Sequence, residues 1–130
     1  MDQNGLKESD EGLIESVMAA AIAVHKELGP GLLESVYEAA LMIELAERGI
    51  EARRQVEIPA FYKGHDLGLG FRADVIVQDC LLLEIKSVQE ITPTHLAQLI
   101  TYLKLLRYKR RFLLNFNSRL MKDGIKRVSI

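Results

Sequence analysis

An acid stands inside a run that otherwise reads as a buried strand. Asp74 lies among Phe71, Ala73, Val75, Ile76 and Val77, where an unpaired carboxylate is costly to bury. Any fold for this chain must answer that charge. The next apolar run, Leu82-Leu83-Glu84-Ile85-Lys86-Ser87, poses the problem again. Side chains alternate along a strand, so the Glu84 carboxylate and the Lys86 ammonium project from one side, and Leu83 and Ile85 from the other. The short polar turn Gln78-Asp79 between the two runs predicts a hairpin. If its pairing brings Asp74 near Glu84, two carboxylates ~4 Å apart at an effective dielectric of ~20 repel by roughly 4 kcal/mol. A cation would reverse that sign. Mg²⁺ takes oxygen ligands and keeps waters, so Asp74, Glu84 and the Ile85 carbonyl would suffice to hold it. Lys86 would then orient or help deprotonate an attacking water and stabilise charge on a phosphate. The competing reading is that Asp, Glu and Lys at strand ends form surface ion pairs with no chemistry.

The rest of the chain frames this hairpin. Residues 1–10 are polar, contain Gly5 and show no apolar period, so they read as a flexible leader; residues 11–130 read as a single domain. Leu13, Val17, Ala20, Ala21, Val24 and Leu28 recur at helical spacing until Gly29-Pro30-Gly31 stops the helix. A second helix follows on Leu33, Val36, Tyr37, Ala40, Leu41, Ile43 and Leu45, with Gly49 as its C-terminal cap. After Gly49 the period changes. Val56, Ile58, Phe61 and Tyr62 predict an extended segment that turns at Lys63-Gly64-His65-Asp66, and strands are predicted at 71–77 and 81–87. Gly68 and Gly70 are poor strand-interior residues. Thr92 is a candidate N-cap with Pro93 at the first helical position, and the helix runs on to about Arg107. Phe112-Leu113-Leu114 then predicts a buried strand, and 125–130 an edge strand.

Composition narrows the function classes. At 130 residues, with 48% hydrophobic and 27% charged residues, the chain has the make-up of one packed domain. Its single cysteine, Cys80, allows no internal disulfide and no cysteine-built metal site, which points to the cytoplasm. It contains neither a signal-peptide pattern nor an apolar run of membrane-spanning length. No Walker loop or dinucleotide fingerprint appears, because Gly68-Leu69-Gly70 lacks a third glycine and a following helix. Net charge is only -1, but it is unevenly spread. Residues 1–50 hold ten acids against three bases, and residues 101–130 hold nine bases against Asp123 alone. The basic third, including Arg110, Arg111, Lys126 and Arg127, reads either as solvated faces or as a surface for backbone phosphate.

A strand acid, a tight turn, an apolar run into Glu84-Ile85-Lys86 and then a helix together resemble the PD-(D/E)XK nuclease superfamily, although no proline precedes Asp74. A closer resemblance is to the bacterial and archaeal GxxExxY family assigned to that superfamily. It rests on Gly31-Leu32-Leu33-Glu34-Ser35-Val36-Tyr37, with Val24 to Pro30 before it, and on Phe71-Arg72-Ala73-Asp74, Leu83 to Lys86, Asn115-Phe116-Asn117 and Lys122 to Arg127. The resemblance implies an α/β restriction-endonuclease-like core, a mixed central sheet flanked by helices. It also implies a Mg²⁺- or Mn²⁺-dependent nuclease acting on nucleic acid, DNA first, in which Asp74, Glu84 and Lys86 are catalytic. Glu34, fixed by the motif on the helix before the sheet, joins them as a further metal ligand, although Glu38 lies on the same helical side. Gln98 and Tyr102 match a Q-x-x-x-Y pattern implied to position substrate or water. His25 and His95 are not assigned to the metal. The alternative function is a non-catalytic nucleic-acid- or protein-binding module on the same fold, within a larger assembly. A homodimer through the two N-terminal helices is a third reading.

Overall fold

The computed structural model of the protein describes residues 8–106 and 110–128, with side chains at all of these positions but 8–10, 69, 102, 103, 105 and 106. Helix α1 spans Glu8–Leu28 and buries Val17, Ala20, Ala21 and Val24 of the expected stripe together with Ile14, whereas Leu13 is half-buried and Leu28 exposed. It begins three residues inside the segment expected to be a leader; residues 1–7 of that segment lie outside the described residues. Helix α2 spans Glu34–Glu47. Gly49 ends it with φ 72°, its amide donating to the Ala46 carbonyl and that of Ile50 to Leu45, a closure that needs the left-handed conformation glycine adopts without penalty.

Five strands follow: β1 Ala52–Tyr62, β2 His65–Val77, β3 Leu81–Lys86, β4 Arg110–Asn115 and β5 Ile125–Val128. They form one sheet in the order β1-β2-β3-β4-β5. Helix α3, Pro93–Leu106, lies between β3 and β4 in the chain, and these two strands pair in parallel, as a helical crossover allows. The other neighbours are antiparallel. The sheet is therefore mixed and flanked by helices, as expected. Thr92 caps α3 reciprocally with His95: the His95 amide donates to Thr92 Oγ1 at 3.3 Å, and the Thr92 amide donates to His95 Nδ1 at 3.0 Å.

Two apolar layers cover the sheet. On one face α1 and α2 pack against Val75, Val77, Leu81, Leu83, Ile85, Phe112, Leu114 and Phe116. On the other, Leu96 and Leu99 of α3 pack against Ala73, Ile76, Leu82, Leu113 and Val128. Strand β2 starts well before the predicted Phe71 and runs straight through Gly68 and Gly70. The reason is a close approach: a Cβ on Gly70 would stand 1.9 Å from the Ile58 carbonyl oxygen, where the β1–β2 register shifts between Pro59 and Phe61. Sequence also gave no sign of the 3₁₀ turn Met121–Gly124 that delivers β5. No described helix is long and apolar enough to cross a membrane.

Candidate active site

Strands β2 and β3 pair only at Val77↔Leu81, Ile76↔Leu82 and Val75↔Leu83. The next rung would set Asp74 against Glu84, and there the strands part. Instead of a backbone partner, the Ile85 amide donates to Asp74 Oδ2 at 2.8 Å. A strand residue's N–H and C=O point to the same side, so the Ile85 carbonyl opens toward the same gap. Glu84 is 7% exposed, and its Oε1 is buried without a hydrogen-bond partner among the described residues.

Burial disfavours the charged form of both carboxyls. Burial pushes the Glu84 carboxyl up to about 8; the Asp74 charge adds to this, and Lys86 and the Asp74 amide oppose it. Burial likewise raises Asp74, against the Ile85 amide, with the charges of Glu38 and Glu34 adding and Lys86 subtracting. Two buried acids, one raised by the charge of the other and carrying an orphaned oxygen, fit a hard divalent cation by their donor chemistry. No three His, Cys, Asp or Glu side chains among the described residues stand close enough to hold such an ion by themselves. Asp74 and Glu84 would hold it, with its shell completed by the carbonyl and by water.

Glu34 reaches this neighbourhood from α2. Its Oε2 accepts the Ser87 amide at 3.2 Å, and Ser87 Oγ donates to the Leu32 carbonyl at 2.7 Å. These bonds tie the start of α2 to the end of β3, beside an open groove of about 390 Å³ lined by Leu32, Leu33, Glu34, Ser35 and Ser87. Tyr37 sets the approach. Its buried hydroxyl donates to the Gly29 carbonyl at 2.6 Å and accepts the Leu32 amide at 3.0 Å, while its ring stacks on Phe116 at 4.6 Å. The glutamate and tyrosine of the sequence motif are thus a tether and a latch on the loop that contains Gly31, itself at φ 96°.

Glu38, one turn further on, is 4% exposed and engaged elsewhere. It accepts Arg54 Nε at 2.9 Å and Gln55 Nε2 at 2.9 and 2.8 Å on its two oxygens. Gln55 has φ 52°, a left-handed conformation costing roughly 1–2 kcal/mol in a residue with a Cβ. Hydrogen bonds to a charged acceptor contribute roughly 1.5–3 kcal/mol, enough to hold it there. Sequence reasoning missed this group and Ser87; the only signal was the spacing of Glu38 behind Glu34.

Other expected site residues are not gathered here. Gln98 is exposed on α3 with no hydrogen bond to Asp74, Glu84 or Lys86, and the Tyr102 side chain lies outside the described residues. Arg110 and Arg111 pair with Leu81 and Leu82, at the opposite end of β3 from Lys86, which pairs with Asn115. Arg111, expected on a phosphate-binding surface, is 0% exposed. It is flanked by Leu82 on β3 and Val128 on β5, and its guanidinium nitrogens have no hydrogen-bond partner among the described residues. Burial lowers its pKa to about 10. An arginine on a strand flanked by neighbours on both sides and covered by α3 is shut off from solvent here, whatever the charge of its segment. Lys126 and Arg127 are exposed on β5, with Arg127 Nη2 3.4 Å from Glu11. His25 is buried, its Nε2 2.7 Å from the Ser118 carbonyl.

A family model described as the PD-(D/E)XK nuclease superfamily matches residues 11–128. No curated protein and no solved structure matches the chain.

Proposed function

Because the chain belongs to the PD-(D/E)XK nuclease superfamily, whose nucleases typically use divalent metals, we propose that it hydrolyses phosphodiester bonds, in DNA and without sequence preference. Asp74, Glu84 and the Ile85 carbonyl would hold Mg²⁺ or Mn²⁺, with Glu34 at the rim. The bound ion supplies charge to polarise a phosphoryl oxygen and to acidify water. Lys86, half-buried beside the acids, directs its ammonium to the attacking water and the phosphate. Ser87 and Glu34 fix the mouth through which the backbone enters. The single observation carrying this reading is the orphaned, buried Glu84 Oε1 on the strand beside an acid that has left its own ladder. Exposed Lys126 and Arg127 give phosphate contacts that weaken with salt; Arg110 and Tyr102 are weaker candidates for the same role. Membership of the GxxExxY group is supported by the bonds of Glu34 and Tyr37 at the α2 entry and by the positive φ of Gly31, 96°.

One observation favours a second reading, a non-catalytic nucleic-acid- or protein-binding module: no third acidic side chain completes a metal cluster among the described residues. A homodimer through the N-terminal helices is supported by the exposure of Leu33, Val36 and Ile43 at α2, and sedimentation velocity tests it. Cleavage assays on single- and double-stranded DNA and RNA with Mg²⁺ or Mn²⁺ separate the two functions. Asp74→Ala, Glu84→Ala and Lys86→Ala should each lose about 100-fold or more of activity. Cleavage that survives all three substitutions sinks the site. A folded wild type that binds DNA in a salt-sensitive way and cuts nothing establishes the binding module.

A further inference from the structure

Asp74 lacks a strand partner on both sides. Across β3 its rung is unmade because the ladder ends at Val75↔Leu83. Across β1 the register runs Arg54↔Val75 and resumes at Val56↔Ala73, so the Gln55–Asp74 rung between them is unmade too. The ribbon also changes face at this point. Val75 and Val77 pack with α1 and α2, whereas Ala73 packs on the α3 side, joined there by Val56, Ile58 and Phe71. Residues two apart on a regular strand share a face, so Ala73 and Val75 on opposite faces mark a local twist centred on Asp74. The residue opposite, Gln55, is where the backbone is left-handed, at φ 52°. The Gln55 side chain is tied to α2, where Glu38 takes its Nε2 on both carboxylate oxygens and the Arg54 Nε on one.

We propose that Gln55, held by Glu38, is a positioning residue for Asp74. Its left-handed backbone keeps the Gln55–Asp74 rung open, and the released Asp74 turns its carboxylate onto the Ile85 amide and toward Glu84. With an extended Gln55 the rung would close, Ala73 would return to the face of Val75, and Asp74, held in a regular ladder, would no longer turn its carboxylate onto the Ile85 amide. Glutamine is rarely found in this conformation, and strained backbone of this kind gathers at working sites. The proposal rests on the reading of Asp74 as a site acid, and its test has a readout independent of cleavage.

That test compares Gln55→Val, whose branched Cβ resists a positive φ, with Gln55→Gly, which adopts it freely. In Gln55→Val the Ile85 amide should exchange about tenfold faster as its bond to the Asp74 carboxylate is lost, while the Leu83 amide, in the regular β2–β3 ladder, keeps its wild-type rate. In Gln55→Gly both amides should stay within about threefold of wild type. Cleavage should follow Ile85: kcat down about tenfold in the valine variant, with KM little changed and the glycine variant spared. An Ile85 amide unmoved by valine, or lost equally in both variants, overturns the positioning role. A wild type that cleaves nothing while Ile85 still follows the valine–glycine pattern keeps that role and removes the nuclease reading instead.

Discussion

Glu84 holds a proton that an exposed glutamate would have lost. Its carboxyl, raised by burial and by Asp74 to about 8, stays protonated in the metal-free fold after the unfolded chain has released its own proton. Stability therefore falls as pH rises from the ordinary glutamate range toward 8, and levels off above it. Glu84→Gln removes the penalty. Without metal, the variant should be more stable than wild type by about 1–3 kcal/mol near pH 8 and should lose much of the slope between pH 5 and 8 in urea denaturation. A wild-type slope that survives the substitution would place the titration elsewhere. At this scale the sequence was generous with chemistry and poor in geometry. Asp74, Glu84 and Lys86 were visible because charge is rare in apolar strands. The buried state of Arg111 was not, since a basic segment reads as a surface until its strand is known to be central.

Among the elements, the α2 entry decides how the site is framed. Tyr37 joins the Gly29 carbonyl to the Leu32 amide across the loop that starts α2, and Glu34 and Ser87 carry the connection to β3. Tyr37→Phe leaves the part-buried Gly29 carbonyl and Leu32 amide without their partner. Equilibrium urea unfolding should show a loss of about 1–3 kcal/mol, with the stacked ring on Phe116 kept; an unchanged midpoint would mean that solvent replaces the hydroxyl. Helices and their ends were legible because Gly29-Pro30-Gly31, Gly49 and Thr92-Pro93 are strong punctuation. The first half of β2 was not, because Gly70 looks like a strand breaker in sequence and is a strand requirement in space, where the Ile58 carbonyl leaves room for nothing larger. The left-handed Gln55 has no sequence signature at all; its side chain meets Glu38 only in the folded chain.

Over the whole molecule, an ion held by Asp74 and Glu84 would couple metal occupancy to stability. An ion that binds the folded state alone stabilises it by about 2.7 kcal/mol at a concentration 100 times its dissociation constant. Thermal melting in millimolar Mn²⁺ should therefore raise the wild-type Tm and leave that of Asp74→Ala unmoved. A shift of equal size in both would assign the ion to another place. The uneven charge of the chain is partly internal: Glu11 of the acidic first half meets Arg127 of the basic end, so segment totals overstate the field available to a polyanion. The division of the sheet into a locally paired β1–β2–β3 meander and a β4 brought in by a helical crossover bears on the order of assembly. Asp74 and Glu84 sit on neighbouring strands joined by the three-residue turn Gln78–Cys80, a loop whose closure costs little chain entropy. Their encounter is among the cheapest non-helical contacts the chain can make, whereas β4 must wait for α3. During synthesis the two acids can therefore meet before the strand that buries them has left the ribosome.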